Sequence, residues 1–322
     1  MSERRRCPAC GADGAAEIER VAVERVARGW TAQFASARAT DASTVLAYVR
    51  ADVGADTVRM FRCATCGVEH ADPARTWRAE HYPVQDHGFG FDHDTAVERL
   101  GRGTGRLLEI GCADGAFLGR VASLGYEAIG LDFAPESVAA AAAAGRDVRR
   151  ASVDALADAV RRDAPFDVVA MFQIIEHLEA PDRMFDQLGA VSRPGTRLLI
   201  GCPAPRRFAR LYANAERIGA SEFWDYPPQH TLRWTAEGLR RFLGRHGWAV
   251  TVVRPEAFNL VGAAAHLVSS DGHAGGWYGR PLRRRVETAK RLATLVATGA
   301  PWRCTGVRLY VEAEFRGPSA SR

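Results

Sequence analysis

Arg106-Leu107-Leu108-Glu109-Ile110-Gly111-Cys112-Ala113-Asp114-Gly115-Ala116-Phe117-Leu118 is the stretch that decides the reading of this 322-residue chain. Arg106 to Ile110 is a short run, apolar but for its acid and its first residue, and reads as a buried strand. It breaks into a loop bounded by Gly111 and Gly115, and Ala116-Phe117-Leu118 opens a helix. Seventeen residues past Gly115, Ala128-Ile129-Gly130-Leu131-Asp132 reads as a second strand that ends on a carboxylate. A strand, a tight loop, a helix and a second strand with a terminal acid form the nucleoside-binding half of a doubly wound α/β sheet. The loop lets the backbone approach a ligand closely, and the acid accepts hydrogen bonds from ribose hydroxyls.

The spacing argues against a dinucleotide. That fingerprint needs G-x-G-x-x-G, whereas here Ala113 stands between Gly111 and Gly115. No Lys-Ser/Thr pair follows, so the loop is not a phosphate-cradling one. Glu109, just before the loop, would repel a pyrophosphate and suits an ammonium or sulfonium group. S-adenosylmethionine has those features: a ribose for Asp132, a cationic aminoacyl tail for the loop, and no phosphate.

Glu109-x-Gly111-x-x-x-Gly115 with Asp132 resembles the first two motifs of class I S-adenosylmethionine-dependent methyltransferases. Phe166-Asp167-Val168-Val169-Ala170-Met171-Phe172-Gln173-Ile174-Ile175-Glu176-His177-Leu178 resembles their fourth-strand motif. Val191-Ser192-Arg193-Pro194-Gly195-Thr196-Arg197-Leu198-Leu199-Ile200 resembles the helix end, Pro-Gly turn and fifth strand that follow. The motifs stand in the family's order over roughly residues 101–255. The resemblance implies a Rossmann-like, seven-stranded α/β domain with a cofactor set of Glu109, Gly111, Cys112, Ala113, Gly115 and Asp132. To these it adds Phe133, Val153, Phe172 and Gln173. Two positions depart from the family. It usually has Gly where Ala113 stands, and a methyl group there is expected to require a negative φ. Ser152 stands where many relatives carry an adenine-contacting Asp, so Asp154 or the backbone near it is expected to serve instead.

The seven cysteines fall into two classes. Cys7-Pro8-Ala9-Cys10-Gly11 and Cys63-Ala64-Thr65-Cys66-Gly67 are two C-x-x-C-G knuckles, each presenting two thiolates on one tight turn. Together they supply the four ligands of a closed, structural zinc site. A disulfide framework fits poorly with a chain that shows no export signal. The unit between them, roughly Ala15 to Arg59, reads as a strand followed by a helix. Four thiolates complete the shell, so His70 is expected at the surface. Cys112, Cys202 and Cys304 are isolated and read as small buried apolar residues.

A double knuckle before a class I domain is similar to a subgroup of bacterial methyltransferases that includes sugar C-methyltransferases and other natural-product enzymes. Pro227-Pro228-Gln229-His230-Thr231-Leu232-Arg233-Trp234-Thr235 resembles that subgroup's segment before a C-terminal helix. The sugar enzymes carry a further C-terminal domain for which this length leaves no room, which argues against a nucleotide-sugar acceptor.

The expected layout is a zinc module over residues 1–75, a connector or lid over 76–100 and the methyltransferase domain over 101–316. Strands are expected at Leu107–Ile110, Ala128–Leu131, near Val148, and at Asp167–Met171, Arg197–Gly201, Ala249–Val253 and Val307–Phe315, the last two as an antiparallel edge. Helices are expected at Ala236–Leu243 and Leu282–Val296, and the last residues, Gly317 to Arg322, as a frayed end. Ligands bind beyond the carboxyl ends of such strands, where the fourth strand delivers Gln173, Glu176 and His177. Methyl transfer asks the protein for positioning and, for a masked nucleophile, a base. His177, with Glu176 as base or orienter, is one candidate; fixing the loop is the other role open to that pair. His230, after the aromatic run Phe223-Trp224-Asp225-Tyr226, and Tyr82 in the lid are substrate-side candidates.

The chain has a net charge of +5, spread over scattered arginine clusters without aromatic interleaving, which reads as a solvated surface rather than a nucleic-acid footprint. No leader and no apolar run of membrane length is visible, so the expected location is the cytoplasm, with a small-molecule substrate and no membrane partner. The sequence carries no signal that sets an oligomeric state. The rival functions are an RNA methyltransferase using the zinc module to hold RNA, and a non-catalytic cofactor-binding assembly protein.

Overall fold

A computed structural model describes residues 5–38, 40–82, 89–205, 223–259 and 305–318, with a few helical positions between 286 and 297. The expected helix Leu282–Val296 lies largely outside the described residues, as do Cys304, the arginine cluster 283–285 and the last four residues. Among the described residues, the following strands and α-helices come in chain order. The first part comprises β1 (Ala16–Ala22), α1 (Val23–Arg38), α2 (Ala42–Val53), β2 (Thr57–Arg62) and β3 (Glu69–Asp72). α3 (Phe91–Leu100) leads into β4 (Arg106–Ile110), α4 (Ala116–Ala122), β5 (Glu127–Asp132), α5 (Pro135–Ala143), β6 (Asp147–Arg150) and α6 (Leu156–Ala159). Then come β7 (Phe166–Phe172), α7 (Pro181–Val191), β8 (Ser192–Pro203), β9 (Leu232–Arg233), α8 (Ala236–Arg245), β10 (Trp248–Pro255) and β11 (Arg308–Phe315).

Seven strands form the main sheet in the order β10-β11-β8-β7-β4-β5-β6. β6, β5, β4, β7 and β8 run parallel, and β11 runs antiparallel between β8 and β10. The last two strands therefore pair antiparallel at the edge, as expected. Parallel strands covered by helices on both faces should be apolar on both, and they are. Leu107, Val168, Ala170 and Leu199 pack in the cluster with Ala96 and Leu100 of α3 and Phe117 and Leu118 of α4. Their neighbours Leu108, Ile110, Val169, Met171 and Leu198 pack in the cluster with Phe185 and Leu188 of α7 and Leu239 and Phe242 of α8. β4 has β5 on one side and β7 on the other, so the connections reverse direction at its carboxyl end. That is where an open α/β sheet leaves a crevice.

The four-stranded sheet β1-β2-β3-β9 carries α1 and α2 on a core of Val26, Trp30, Phe34, Val49, Met60, Trp77 and Phe223. The sequence reading of one strand and one helix between the knuckles is thus extended by α2 and β2. β9 enters this sheet from far downstream: His70 pairs with Leu232 and Glu69 with Arg233. The first sheet is therefore not confined to residues 1–75. A two-residue strand after Pro227-Pro228 offers too little periodicity to be seen in sequence. Arg233 is buried against Glu69 at 2.9 Å, and its guanidinium also covers the Tyr226 ring at 4.7 Å. His70, expected at the surface, is buried: it stacks on Phe61 and pairs in the sheet with Leu232 of β9.

The knuckles do not stand apart. Cys7, Cys63, Cys66 and Val68 share one core with Trp234 and Leu239. Thr235, the N-cap of α8, accepts from the Gly238 amide and donates its hydroxyl to the Cys66 carbonyl at 2.7 Å. Arg245, at the other end of α8, donates to the Ala9 carbonyl at 2.6 Å.

Candidate functional site

The loop after β4 is held from β5. The amides of Gly111 and Cys112 donate to the Leu131 carbonyl, at 2.7 and 3.1 Å. One Asp132 carboxylate oxygen accepts the Ala113 amide and the other accepts the Ala134 amide, both at 2.9 Å. Each oxygen keeps a second lone pair. Gly111 has φ +71°, and a Cβ there would overlap the Ile174 side chain. Ala113 has φ +47°, in the left-handed region, against the expectation of a negative φ. In this turn the Ala113 amide is directed at the Asp132 carboxylate, whose hydrogen bond holds it there.

A cavity of about 530 Å³ opens above this loop, within the range of small-molecule sites. Glu109, Gly111, Cys112, Ala113, Asp132, Phe133, Val153, Phe172, Gln173 and Tyr82 all line it. Gly115 does not; it closes the turn by donating its amide to the Cys112 carbonyl at 2.8 Å. Asp154 does not either. Its side chain is exposed, and the 3-10 turn Val153–Ala155 offers Ser152 and Val153 to the cavity instead. Sequence reasoning missed Glu136 and Ser137, which open α5, together with His93 and Arg308. The first two are findable as the turn following the acid of β5; Arg308 comes from β11 and has no local signal.

Glu109 is buried, and its Oε2 has no hydrogen-bond partner. Burial first, then the charges of Asp132 and Asp114, push its carboxyl well above the usual range. Burial also raises Asp132, against the amides of Ala134, Ala113 and Phe133 that lower it. The Cys112 thiol is pushed up by burial and by Glu109, so it stays protonated and inert. Two acids in a mostly apolar cleft fit a ligand that brings a diol and a cation. The Tyr82 ring meets Phe133 edge-on at 5.2 Å, and its hydroxyl is pushed up to about 12 by burial and by the negative charges of Asp132 and Glu176. It remains a neutral donor.

Glu176, His177 and His230 come together just past β7, with candidate ligand atoms within 4.8 Å of one another. None of the three lines the cavity itself. His177 Nδ1 donates to the Gln229 carbonyl at 2.6 Å, and His230 Nδ1 faces Asp225 at 3.4 Å. A carbonyl only accepts, so His177 carries its proton on Nδ1 and turns Nε2 toward Glu176, 4.0 Å away. The rings of His177 and His230 lie 4.8 Å apart, edge to face. Tyr82 links this group to the cavity through a hydrogen bond with Gln229.

A methyltransferase-domain family profile matches residues 91–253, half of the chain. The chain belongs to the methyltransferase-domain family. It is an S-adenosylmethionine-dependent methyltransferase with a Rossmann-like, mostly parallel seven-stranded sheet. Among curated relatives, the ubiquinone biosynthesis O-methyltransferase of Cereibacter sphaeroides is 27% identical over 188 residues, 56% of this chain and 67% of that one. That of Ruegeria pomeroyi is 29% identical over 177 residues, 53% of this chain and 63% of that one. This methyltransferase thus spans about two thirds of the length of these relatives. Among solved structures, an S-adenosylmethionine dependent methyltransferase from Mesorhizobium loti has a TM-score of 0.45 at 19% identity, covering 70% of this chain and 98% of that one. The [4+2]-cyclase SpnF has a TM-score of 0.46 at 19% identity, covering 70% and 80%.

The four knuckle thiols form the methyltransferase's second set of converging metal-ligand atoms among the described residues. Cys7 and Cys66 sulfurs lie 3.7 Å apart and those of Cys10 and Cys63 3.6 Å. Four thiolates at about 2.3 Å from a tetrahedral zinc stand about 3.8 Å from one another, so the spacing fits that ion.

Two substitutions test this geometry. Replacing Ala113 by Gly removes the left-handed strain and should raise the unfolding free energy of the ligand-free protein by about 1 kcal/mol; an unchanged or lower urea midpoint would contradict the assigned turn. For Glu109 the folded state holds a proton that the unfolded chain releases above about pH 4. Wild-type stability therefore falls as pH rises from there toward the raised folded value. Glu109→Gln lacks that loss, so its urea midpoint should match wild type near pH 4 and exceed it increasingly at pH 7 to 8. A difference that does not vary with pH would refute the buried-acid assignment.

Proposed function

We propose that this methyltransferase transfers the methyl group of S-adenosylmethionine to a carbon, oxygen or nitrogen nucleophile of a small molecule, in natural-product biosynthesis. The observation that carries the reading is the Glu109–Asp132 cavity together with the Glu176–His177–His230 group just past β7, joined to it through Tyr82 and Gln229. The O-methyltransferase names of the relatives support a hydroxyl as the first acceptor to try.

Asp132 accepts the ribose hydroxyls on its remaining lone pairs, and Phe133, Ser152 and Val153 flank the base. Gly111, Cys112 and Ala113 give the backbone its close approach, Glu109 gives up its proton as the positive tail enters and then balances that charge, and Phe172 and Gln173 close the cavity from β7. When bound, the cofactor supplies an electrophilic methyl on a sulfonium, which becomes a thioether on transfer. The chain's own residues align the acceptor, exclude water and remove a proton. His230, oriented by Asp225, takes the proton that the acceptor loses as its new bond to carbon forms. His177 and Glu176 hold the charge that results, and Tyr82 donates to the acceptor from the cavity side. The chain is organised as a cysteine module, a lid and a methyltransferase domain, with structural zinc on Cys7, Cys10, Cys63 and Cys66. No described helix is long and apolar enough to cross a membrane, which accords with action in the cytoplasm.

A panel of phenolic and enolic acceptors should give methylated product whose kcat rises with pH along an acid limb. His230→Asn should lower kcat by about 10²- to 10⁴-fold and remove that limb, and a limb that survives in both His230→Asn and His177→Asn would eliminate the imidazole base. Metal analysis should find about one zinc per chain, lost together with stability in Cys63→Ser. A fully folded, zinc-free protein would overturn the Cys₄ assignment.

A further inference from the structure

We infer that Arg308 binds the carboxylate of the cofactor's methionyl tail. This deepens the proposed function and rests on the cavity being the S-adenosylmethionine site. Of the four acids and one arginine or lysine among the described residues lining the cavity, Arg308 is the cation; Glu109, Asp114, Asp132 and Glu136 are the acids. A carboxylate entering beside four acids needs a positive partner, and a zwitterionic amino-acid tail needs one group of each sign. Glu109 serves the ammonium, which leaves Arg308 for the carboxylate.

The fold delivers Arg308 to the correct end. β11 runs antiparallel to β8, and Arg308 pairs with Pro203 at the carboxyl end of β8, where ligands bind. In the strand order, Arg308 on β11 and the Ser152–Val153 turn after β6 lie at opposite ends of the cavity, with Asp132 and the Gly111 loop between them. The base and the aminoacyl tail of the cofactor likewise lie on opposite sides of its ribose.

The side chain is built in. Asp92 of α3, fully buried, accepts from Arg308 Nη1 at 2.6 Å, from Gln173 Nε2 at 2.9 Å and from the His93 amide at 3.1 Å. Burial alone would raise the Asp92 carboxyl, but the His93 hydrogen bond and the Arg308 charge hold it well below the usual range. Asp92 is thus an anionic anchor that aims the guanidinium and occupies one of its donors. A guanidinium has five donors in a fixed fork suited to a carboxylate. Two glycines clear the space: a Cβ on Gly90 would overlap the Arg308 guanidinium, and one on Gly201 would overlap Asp92. Gly90 has φ −141°, extended backbone that any residue adopts, so the guanidinium rather than the backbone makes glycine necessary there.

The test is calorimetry on the full chain with two ligands: S-adenosylhomocysteine, and 5′-methylthioadenosine, which keeps the nucleoside and the sulfur but lacks the amino-acid tail. Arg308→Gln should weaken S-adenosylhomocysteine by roughly ten- to a hundredfold and leave 5′-methylthioadenosine within about twofold. Gly90→Ala, which displaces the guanidinium without straining the backbone, should show the same selective loss. Retained 5′-methylthioadenosine binding shows that the variant is folded with its cavity intact. An unchanged S-adenosylhomocysteine affinity in Arg308→Gln overturns the proposal, as does an equal loss for both ligands. A wild-type chain that binds neither ligand refutes the cofactor site itself and the proposal with it.

Discussion

The Asp132 carboxylate is the interaction on which the site depends. Its two oxygens each hold one backbone amide, Ala113 from the loop after β4 and Ala134 from the entry to α5. A single side chain at the end of one strand thereby fixes two loops. The Ala113 bond tolerates a left-handed alanine, and the Ala134 bond brings Glu136 and Ser137 to the cavity wall. The remaining lone pairs are then pre-aimed at a ligand rather than recruited by it, so little reorganisation is needed when a diol arrives.

Much of this was legible in sequence, for physical reasons that differ by element. β4, β5 and β7 are buried on both faces, so their composition alone marks them, and the glycine-bounded loop announces itself by its position between them. The cysteine pairing was readable because metal chemistry demands two pairs at a fixed local spacing. Ala113 was misjudged because sequence shows the steric preference of a residue but not the tertiary hydrogen bond that overrides it. His70 was misplaced because its partner in the sheet is β9, two residues long and more than a hundred residues away. Of the two alternatives after β6, Asp154 or the backbone near it, the 3-10 turn favours the second: it directs Ser152 and Val153 inward and leaves the Asp154 side chain exposed. Arg308 was invisible because its meaning comes wholly from the neighbours that the sheet order gives it.

The cysteine knuckles and the methyltransferase sheet share one body of packing. Trp234 lies in the same core as Cys66, and α8 is tied to a knuckle carbonyl at each end, through Thr235 and Arg245. The segment that carries His230 runs directly into β9 and then α8. An ordered knuckle pair therefore bears on the placement of His230 without touching the cofactor cavity, which gives a structural metal a route to influence the site.

The pairing of β3 with β9 also has a consequence for the birth of the chain. His70 leaves the ribosome about 160 residues before Leu232, its partner in the sheet. At synthesis rates of roughly 5–20 residues per second, that is a delay on the order of ten to thirty seconds. Through that interval β3 presents an unpaired edge, and Glu69 has yet to meet the guanidinium of Arg233. The knuckles lie wholly within the part already made. Closing them on a metal would hold β2 and β3 in register while the rest of the sheet is still being synthesised.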